Sequence, residues 1–362
     1  MTISTTLVQR RRMLRWLAAT SGSLALYGCG GGGDADDVLS GVAAPRQDSF
    51  AVIGPSTRYR LTVITFAGLA AALNESGQAT GVTAQGHPFL YSGGKLTDLG
   101  TLSGGYTSGS DINDHGQVAG TGESADRRPH AFLYSDGTLK DLDVLVCVGG
   151  SEADGINNLG QVTGGAIFPD GAAHAFVYTN GRMIDIGSLG GFSKGHDIND
   201  AGQVTGESTL DPAGGPAHAF LYSDGVMIDL GTLGGQMSTG YAINAHGQVT
   251  GQSYTASTHL HAFLYADGRM LDLGSMADGG LSVGRGINAS GWVVGVTDFT
   301  GQVGFVYDGA RMHDLNALLE SSGDGWVVED ALDINDMGQI VAVASQGRGG
   351  PSAAVLLSPV GN

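Results

Sequence analysis

The stretch Ile112-Asn113-Asp114-His115-Gly116-Gln117-Val118-Ala119-Gly120 returns as INNLGQVTG from Ile156, INDAGQVTG from Ile198 and INAHGQVTG from Ile243. Weaker copies are LNESGQATG from Leu73, INASGWVVG from Ile287 and INDMGQIVA from Ile334. The asparagines of the seven copies, Asn74, Asn113, Asn157, Asn199, Asn244, Asn288 and Asn335, lie 39 to 47 residues apart. Self-similarity at a period of about 40–45 residues is the mark of one supersecondary unit repeated, and four short strands fill that length.

Between these copies runs a second signature, His130-Ala131-Phe132-Leu133-Tyr134-Ser135-Asp136-Gly137, with relatives HPFLYSGG, HAFVYTNG, HAFLYSDG, HAFLYADG and GFVYDG. A third follows at once, Leu139-Lys140-Asp141-Leu142, echoed by MIDIG, MIDLG, MLDLG and MHDL. Asn-x-x-Gly has Asn and Gly at the first and fourth positions of a type I turn. That turn joins a strand ending at Ile-Asn to one formed by Gln-Val-x-Gly. His-Ala-Phe-Leu-Tyr makes a third strand, and Asp-Gly, Asn-Gly or Gly-Gly supplies the positive φ angles of a two-residue hairpin. Leu-x-Asp-Leu is then the fourth strand. In the third strand His, Phe and Tyr share one face and Ala and Leu the other. Both faces are largely apolar, so both are covered, as in blades stacked around a ring. A β-solenoid uses shorter periods and exposes its outer faces. The expectation is an all-β, seven-bladed β-propeller of four-stranded antiparallel blades.

The ends of the chain bear on closure. The seventh unit reaches Ala353-Ala354-Val355-Leu356-Leu357-Ser358 and then lacks its fourth strand. Tyr59-Arg60-Leu61-Thr62-Val63-Ile64, ahead of the first unit, aligns with Lys95-Leu96-Thr97-Asp98-Leu99. Pairing of these N- and C-terminal segments closes the ring and removes both free edges.

The alternation of HAFLYSDG, LxDLGTLGG and INDxGQVxG resembles the HAF family of extracellular repeat proteins, named from its His-Ala-Phe triplet. The resemblance covers residues 59 to 358. The run Asp314-Leu315-Asn316-Ala317-Leu318-Leu319, with Trp326 before Ile334, is similar to that family's last repeat. The resemblance implies a secreted or surface location and says little of activity. Departures are Gly304 and Ala353 in place of His, and Trp292 in place of Gln.

Composition agrees with the repeats. Glycine takes 63 of 362 positions and 41% of residues are hydrophobic, which excludes collagen and a disordered linker and suits short strands with tight turns. The net charge is −18. Residues 1–28 hold Arg10, Arg11, Arg12 and Arg15 and no acid, so the remainder sets 13 basic against 35 acidic residues, a net charge of −22. Such a field repels nucleic acid.

The basic cluster precedes a short apolar run, Trp16 to Tyr27, in the layout of an export signal. Arg10 and Arg11, with Arg12-Met13-Leu14-Arg15, resemble the twin-arginine export motif. Leu26-Tyr27-Gly28-Cys29 resembles a bacterial lipobox, in which the cysteine is acylated as the new N-terminus. An ordinary signal peptide with an incidental cysteine is the other reading. Expected domains are the export signal 1–28, the lipidated Cys29 with a Gly/Asp-rich linker 29–56, and the propeller 57–362. Membrane attachment is then through the lipid, and the ring is a monomer. Cys147, in an apolar run, reads as a buried small hydrophobe.

The repeated histidines His87, His130, His174, His218 and His261, and the acids Asp98, Asp141, Asp185, Asp229, Asp272 and Asp314, occupy equivalent positions. Repetition marks a structural role in every unit, whereas a site is used once. A histidine bonded to a neighbouring Asn or Asp at a strand start is the simplest reading. No metal site is assigned; weak Ca²⁺ binding among the Asp-Gly turns suits hard oxygen ligands, although no copy matches a Ca²⁺ loop. No cofactor is implied. The segment from Asn316 to Asp333 carries the non-repeated acids Glu320, Asp324, Glu329 and Asp330, with a short helix expected over Asn316 to Ser321. A carboxylate pair there suits acid–base work on a glycan; solvated acids on an insert are the plainer alternative. No nucleophile motif, phosphate loop or zinc spacing occurs. Two functions stay open: a non-catalytic extracytoplasmic or surface scaffold binding protein or glycan, and a propeller-type polysaccharide hydrolase or lyase.

Overall fold

The computed structural model describes residues 57–103, 105–142, 149–298, 301–320, 325–347 and 349–360. The chain divides into units 1–50 and 51–362, and every described residue belongs to the second. Arg10, Arg11, Cys29, Cys147 and Asp324 lie outside the described residues.

Seven four-stranded antiparallel sheets follow one another in chain order and close into a ring. The fourth blade is representative: Ser193–Ile198, Val204–Thr209, Ala217–Ser223 and Val226–Asp229, each paired with the next. Its first turn is the expected one with an addition. The Gly202 amide donates to the Asn199 carbonyl at 2.9 Å and the Asn199 amide to the Gln203 carbonyl at 3.0 Å, while Gly202 has φ +75°. This is a type I turn followed by a left-handed residue, which is why the fourth position is always glycine. The second hairpin, Asp224-Gly225 with φ +53° and +81°, is type I′ as read from the sequence.

The first strands of successive blades touch one another all the way round, so they surround the axis; the fourth strands form the rim. The core lies between neighbouring blades. Ala175, Val177 and Ile186 of the third blade pack with Ile198, Val204 and Phe220 of the fourth, and the same cluster recurs around the ring. Phe89, Phe132, Phe176, Phe220, Phe263 and Phe305 are fully buried on one face of the third strand, and the alanines beside them are fully buried on the other. Blades approach closely: a Cβ on Gly195 would stand 2.3 Å from Thr163 Oγ1 of the preceding blade.

The seventh blade is built from both ends of the chain. Arg58–Phe66 pairs antiparallel with Ser352–Val360, which continues to Ile340–Gln346 and Trp326–Ile334. The closing strand is anchored by Tyr59, 1% exposed, whose carbonyl accepts from the Glu320 amide at 2.9 Å. The expected helix is a 3-10 turn over Leu315–Leu318, shifted by one residue and shorter. The three-residue period explains this: it puts Leu315 and Leu318 on one buried side, while the Asp314 carboxylate caps the turn by accepting from the Asn316 amide at 2.8 Å.

Candidate functional site

The repeated chemistry is absorbed by the scaffold. His87, His130, His174, His218 and His261 each place Nδ1 2.8 to 3.0 Å from the carboxylate of the same blade's fourth strand: Asp98, Asp141, Asp185, Asp229 and Asp272. These pairs tie the outer hairpin, and lie on separate blades. In four of them the carboxylate also accepts the amide two residues on, as Asp229 does from Gly231 at 2.7 Å. Where the sixth blade has Gly304, Asp314 is released to cap the 3-10 turn instead. Among the described residues no group of three or more His, Cys, Asp or Glu is placed to hold a metal ion.

The seven asparagines make a belt. Asn74 Nδ2 donates to the carbonyl of Asn113, Asn113 to Asn157, Asn157 to Asn199, Asn199 to Asn244, Asn244 to Asn288 and Asn288 to Asn335, at 2.9 to 3.3 Å. Asn335 donates to Asn74 at 3.1 Å and closes the circle. The second hydrogen of each amide goes to the Gln of Asn-x-x-Gly-Gln, except where Trp292 stands, and Oδ1 accepts from the turn. The belt marks one end of the ring axis.

What is not repeated sits further along the axis. In every blade the first strand carries a β-bulge two residues before the Ile or Leu that precedes Asn. The skipped residues are Ala71, Ser110, Asp154, His196, Tyr241, Arg285 and Leu332. A bulge turns one side chain out of the ladder. Here the skipped position is the one that varies from blade to blade, on the strand that surrounds the axis. Blades three to six offer Asp, His, Tyr and Arg; blades seven, one and two offer Leu, Ala and Ser. The collar is polar on one half and small or apolar on the other.

Side chains along the polar half touch from blade to blade. Lys194 Nζ lies 2.8 Å from Glu152 and 2.9 Å from Asp154 of the preceding blade. The His196 ring meets Tyr241 at 5.5 Å between centroids, and the Arg285 guanidinium lies 5.7 Å from the Tyr241 ring. Arg285 then reaches Asp330 of the seventh blade at 3.3 Å. Thr239 Oγ1 donates to Glu207 at 3.1 Å. Protein crowds this arc, and the charges respond. Burial pulls the Lys194 pKa down, but Asp154 and Glu152 more than offset it and hold the ammonium above its ordinary range. Burial takes His196 down to about 4, so the ring is neutral near pH 7. Burial also raises Asp330; its contact with Arg285 is too long to compensate fully. His196 Nε2, Arg285 Nε and Asp330 Oδ1 are shielded from bulk solvent and meet no hydrogen-bond partner in the protein.

Between collar and belt lie Asp111, Asp197 and Asp333. Each accepts from the amide of its own Ile and from that of the next blade: Asp111 from Ile156, Asp197 from Ile243 and Asp333 from Leu73. Burial nevertheless dominates, raising Asp197 to about 6 and Asp333 to about 7, and Asp111 well above the usual carboxylate range.

Of the non-repeated acids singled out in the sequence, Asp330 is the only one among the described residues that joins the collar contacts. Glu320 pairs with Arg60 at 3.2 Å and Glu329 accepts from Ser345 at 2.6 Å. Glu152, Asp154, Lys194, His196, Glu207, Tyr241 and Arg285 were missed. Except for Glu207, which follows in the second strand, their signal was present: they are positions where otherwise matching repeats disagree just ahead of Ile-Asn, as in EADGIN, KGHDIN, TGYAIN and VGRGIN.

No protein-family model matches the chain, and no curated protein matches it. Among solved structures, the β-propeller domain of the trilobed protease from Pyrococcus furiosus, described as having an open velcro topology, is 10% identical. The match covers 80% of this chain and 98% of that one, with a TM-score of 0.51. A puromycin-hydrolysing peptidase of Mycobacterium tuberculosis is 12% identical over 84% of this chain and 53% of its own, with a TM-score of 0.52. A prolyl endopeptidase is 11% identical over 84% and 51%, with a TM-score of 0.53. The chain thus spans about half the length of both peptidases. At such identities the likeness is one of fold: the chain is a seven-bladed propeller.

Proposed function

We propose that this chain is an exported, lipid-anchored ring that binds a protein or glycan without chemical conversion. The carrying observation is where variation falls. Histidine, aspartate and asparagine recur in step with the blades and hold them together, while the bulge at the axis changes from blade to blade. An invariant frame that presents different side chains at one place is an architecture for recognition. The HAF-like repeats and the export-type N-terminus with Cys29 support a surface location. The excess of acid disfavours nucleic acid as the ligand. Probing the full chain against a glycan array and a panel of surface proteins, beside a polysaccharide-degradation assay, tests the reading. Saturable binding without product is expected. Release of reducing or unsaturated sugar that stops when Asp330 or Asp154 is replaced by Asn would overturn it.

A further inference from the structure

We infer that the axial collar binds the end of a neutral or amino-sugar chain, entering from the face opposite the asparagine belt. This rests on the binding reading above and adds the residues and the class of ligand. Antiparallel topology sorts the loops. The asparagine turns, the Asp-Gly hairpins, Arg58 and Val360 lie at one face of the ring; connections from fourth to first and from second to third strands lie at the other. The latter face carries exposed Phe66, Tyr106, Phe192, Leu210, Tyr254 and Met276, contributed by loops and strand ends around the ring. Apolar and aromatic surface of this kind packs against the C–H faces of sugar rings. The collar begins near that face, since Lys194 and His196 are the second and fourth residues of their strand and Asn199 follows its last.

Inside, the arc sets four carboxylates, Glu152, Asp154, Glu207 and Asp330, against the two cations Lys194 and Arg285. That excess repels an anionic ligand and tolerates a neutral or cationic one. Lys194 is already held between two acids. Arg285, Glu152 and Asp154 keep 33%, 32% and 27% of their side-chain surface open. A hydroxyl both donates and accepts, so a sugar's hydroxyls match an open guanidinium, which only donates, and open carboxylates, which only accept. Such groups favour a ligand that carries hydroxyls over one that lacks them.

The test is calorimetric titration of the full chain with neutral, amino, uronic and sulfated oligosaccharides. Binding to a neutral or amino sugar is expected, weakened by about tenfold or more in Arg285→Ala and Glu152→Gln. Leu159→Ala and Met337→Ala, on the belt face, should bind like the parent. If Arg285→Ala does not fold, Arg285→Lys and Tyr241→Phe decide, and parent affinity in both folded variants overturns the assignment. Preference for uronic or sulfated sugars, or absence of any sugar binding, also overturns it. A protein ligand without sugar binding would remove this inference and leave the binding reading intact. Cleavage of a neutral sugar that depends on Arg285 would support the collar and remove the non-catalytic reading.

Discussion

Asn199 uses every hydrogen-bonding position it has: two donors, to Gln203 and to the next blade's Asn244 carbonyl, and two acceptor lone pairs, from Ala201 and Gln203 amides. A single amide therefore shapes a hairpin and ties two blades. Asn199→Ala is expected to lower stability by about 2–4 kcal/mol, since buried partners are left unmade; urea unfolding at constant slope measures it. Asn199→Asp keeps the shape but turns the inter-blade donor into an acceptor, and should not rescue. Tyr59 is the reverse case. Its hydroxyl is buried without a partner and its pKa is pushed up to about 12 by burial. Tyr59→Phe is expected to raise stability by about 1 kcal/mol, read as a higher denaturant midpoint. The Asn-x-x-Gly-Gln pattern announced the turn, because glycine at a left-handed position and asparagine at a turn start are local demands. The asparagine belt was not announced, because its acceptors lie 42 to 45 residues away around Asn199.

At the scale of the element, the first strand concentrates what is unusual. Glycine in Gln-Val-x-Gly lets the bulge form: a Cβ on Gly206 would stand 1.9 Å from the Lys194 carbonyl. The bulge then turns His196 and its equivalents out of the ladder, on the strand nearest the axis. The same strands hold the inter-blade acids. Asp197 at about 6 and Asp333 at about 7 keep protons in the folded ring that the unfolded chain, with ordinary carboxylates, has released. Between about pH 4 and 7 the native state holds more protons, so stability falls as pH rises through that window and levels off above it. His196 at about 4 works the other way: the unfolded chain takes up its proton first as pH drops below about 6.5, costing stability toward acid. The four raised aspartates, Asp111, Asp197, Asp330 and Asp333, outnumber the one lowered histidine, so the net slope from these buried groups is downward with rising pH. Chemical denaturation from pH 4.5 to 8 checks this, and Asp333→Asn should flatten the curve whereas His196→Gln should steepen it.

For the whole molecule, closure by Arg58–Phe66 makes the ring one cooperative unit instead of an open stack. Deleting residues 57–66 exposes the edge of Ser352–Val360 and strips Tyr59 from the blade core. The truncated chain is expected to unfold at a clearly lower midpoint and to aggregate through that edge; an unchanged midpoint would show that closure contributes nothing. The lipid proposed at Cys29 has a direct readout. Metabolic labelling with a radiolabelled fatty acid should mark the parent and not Cys29→Ser.

The repeats alone determined the fold class, the number of blades, both hairpin types and the closing strand, because each of these follows from local turn chemistry and from counting copies. They also pointed to hydrogen-bonded histidines, each of which meets the aspartate of its own blade's fourth strand. Only the tertiary structure decided which polar residues share a place. Asp154, His196, Tyr241 and Arg285 stand about one blade length apart in sequence and become neighbours only when the ring brings four bulges to one axis. Closure sets that juxtaposition, and no single repeat contains it.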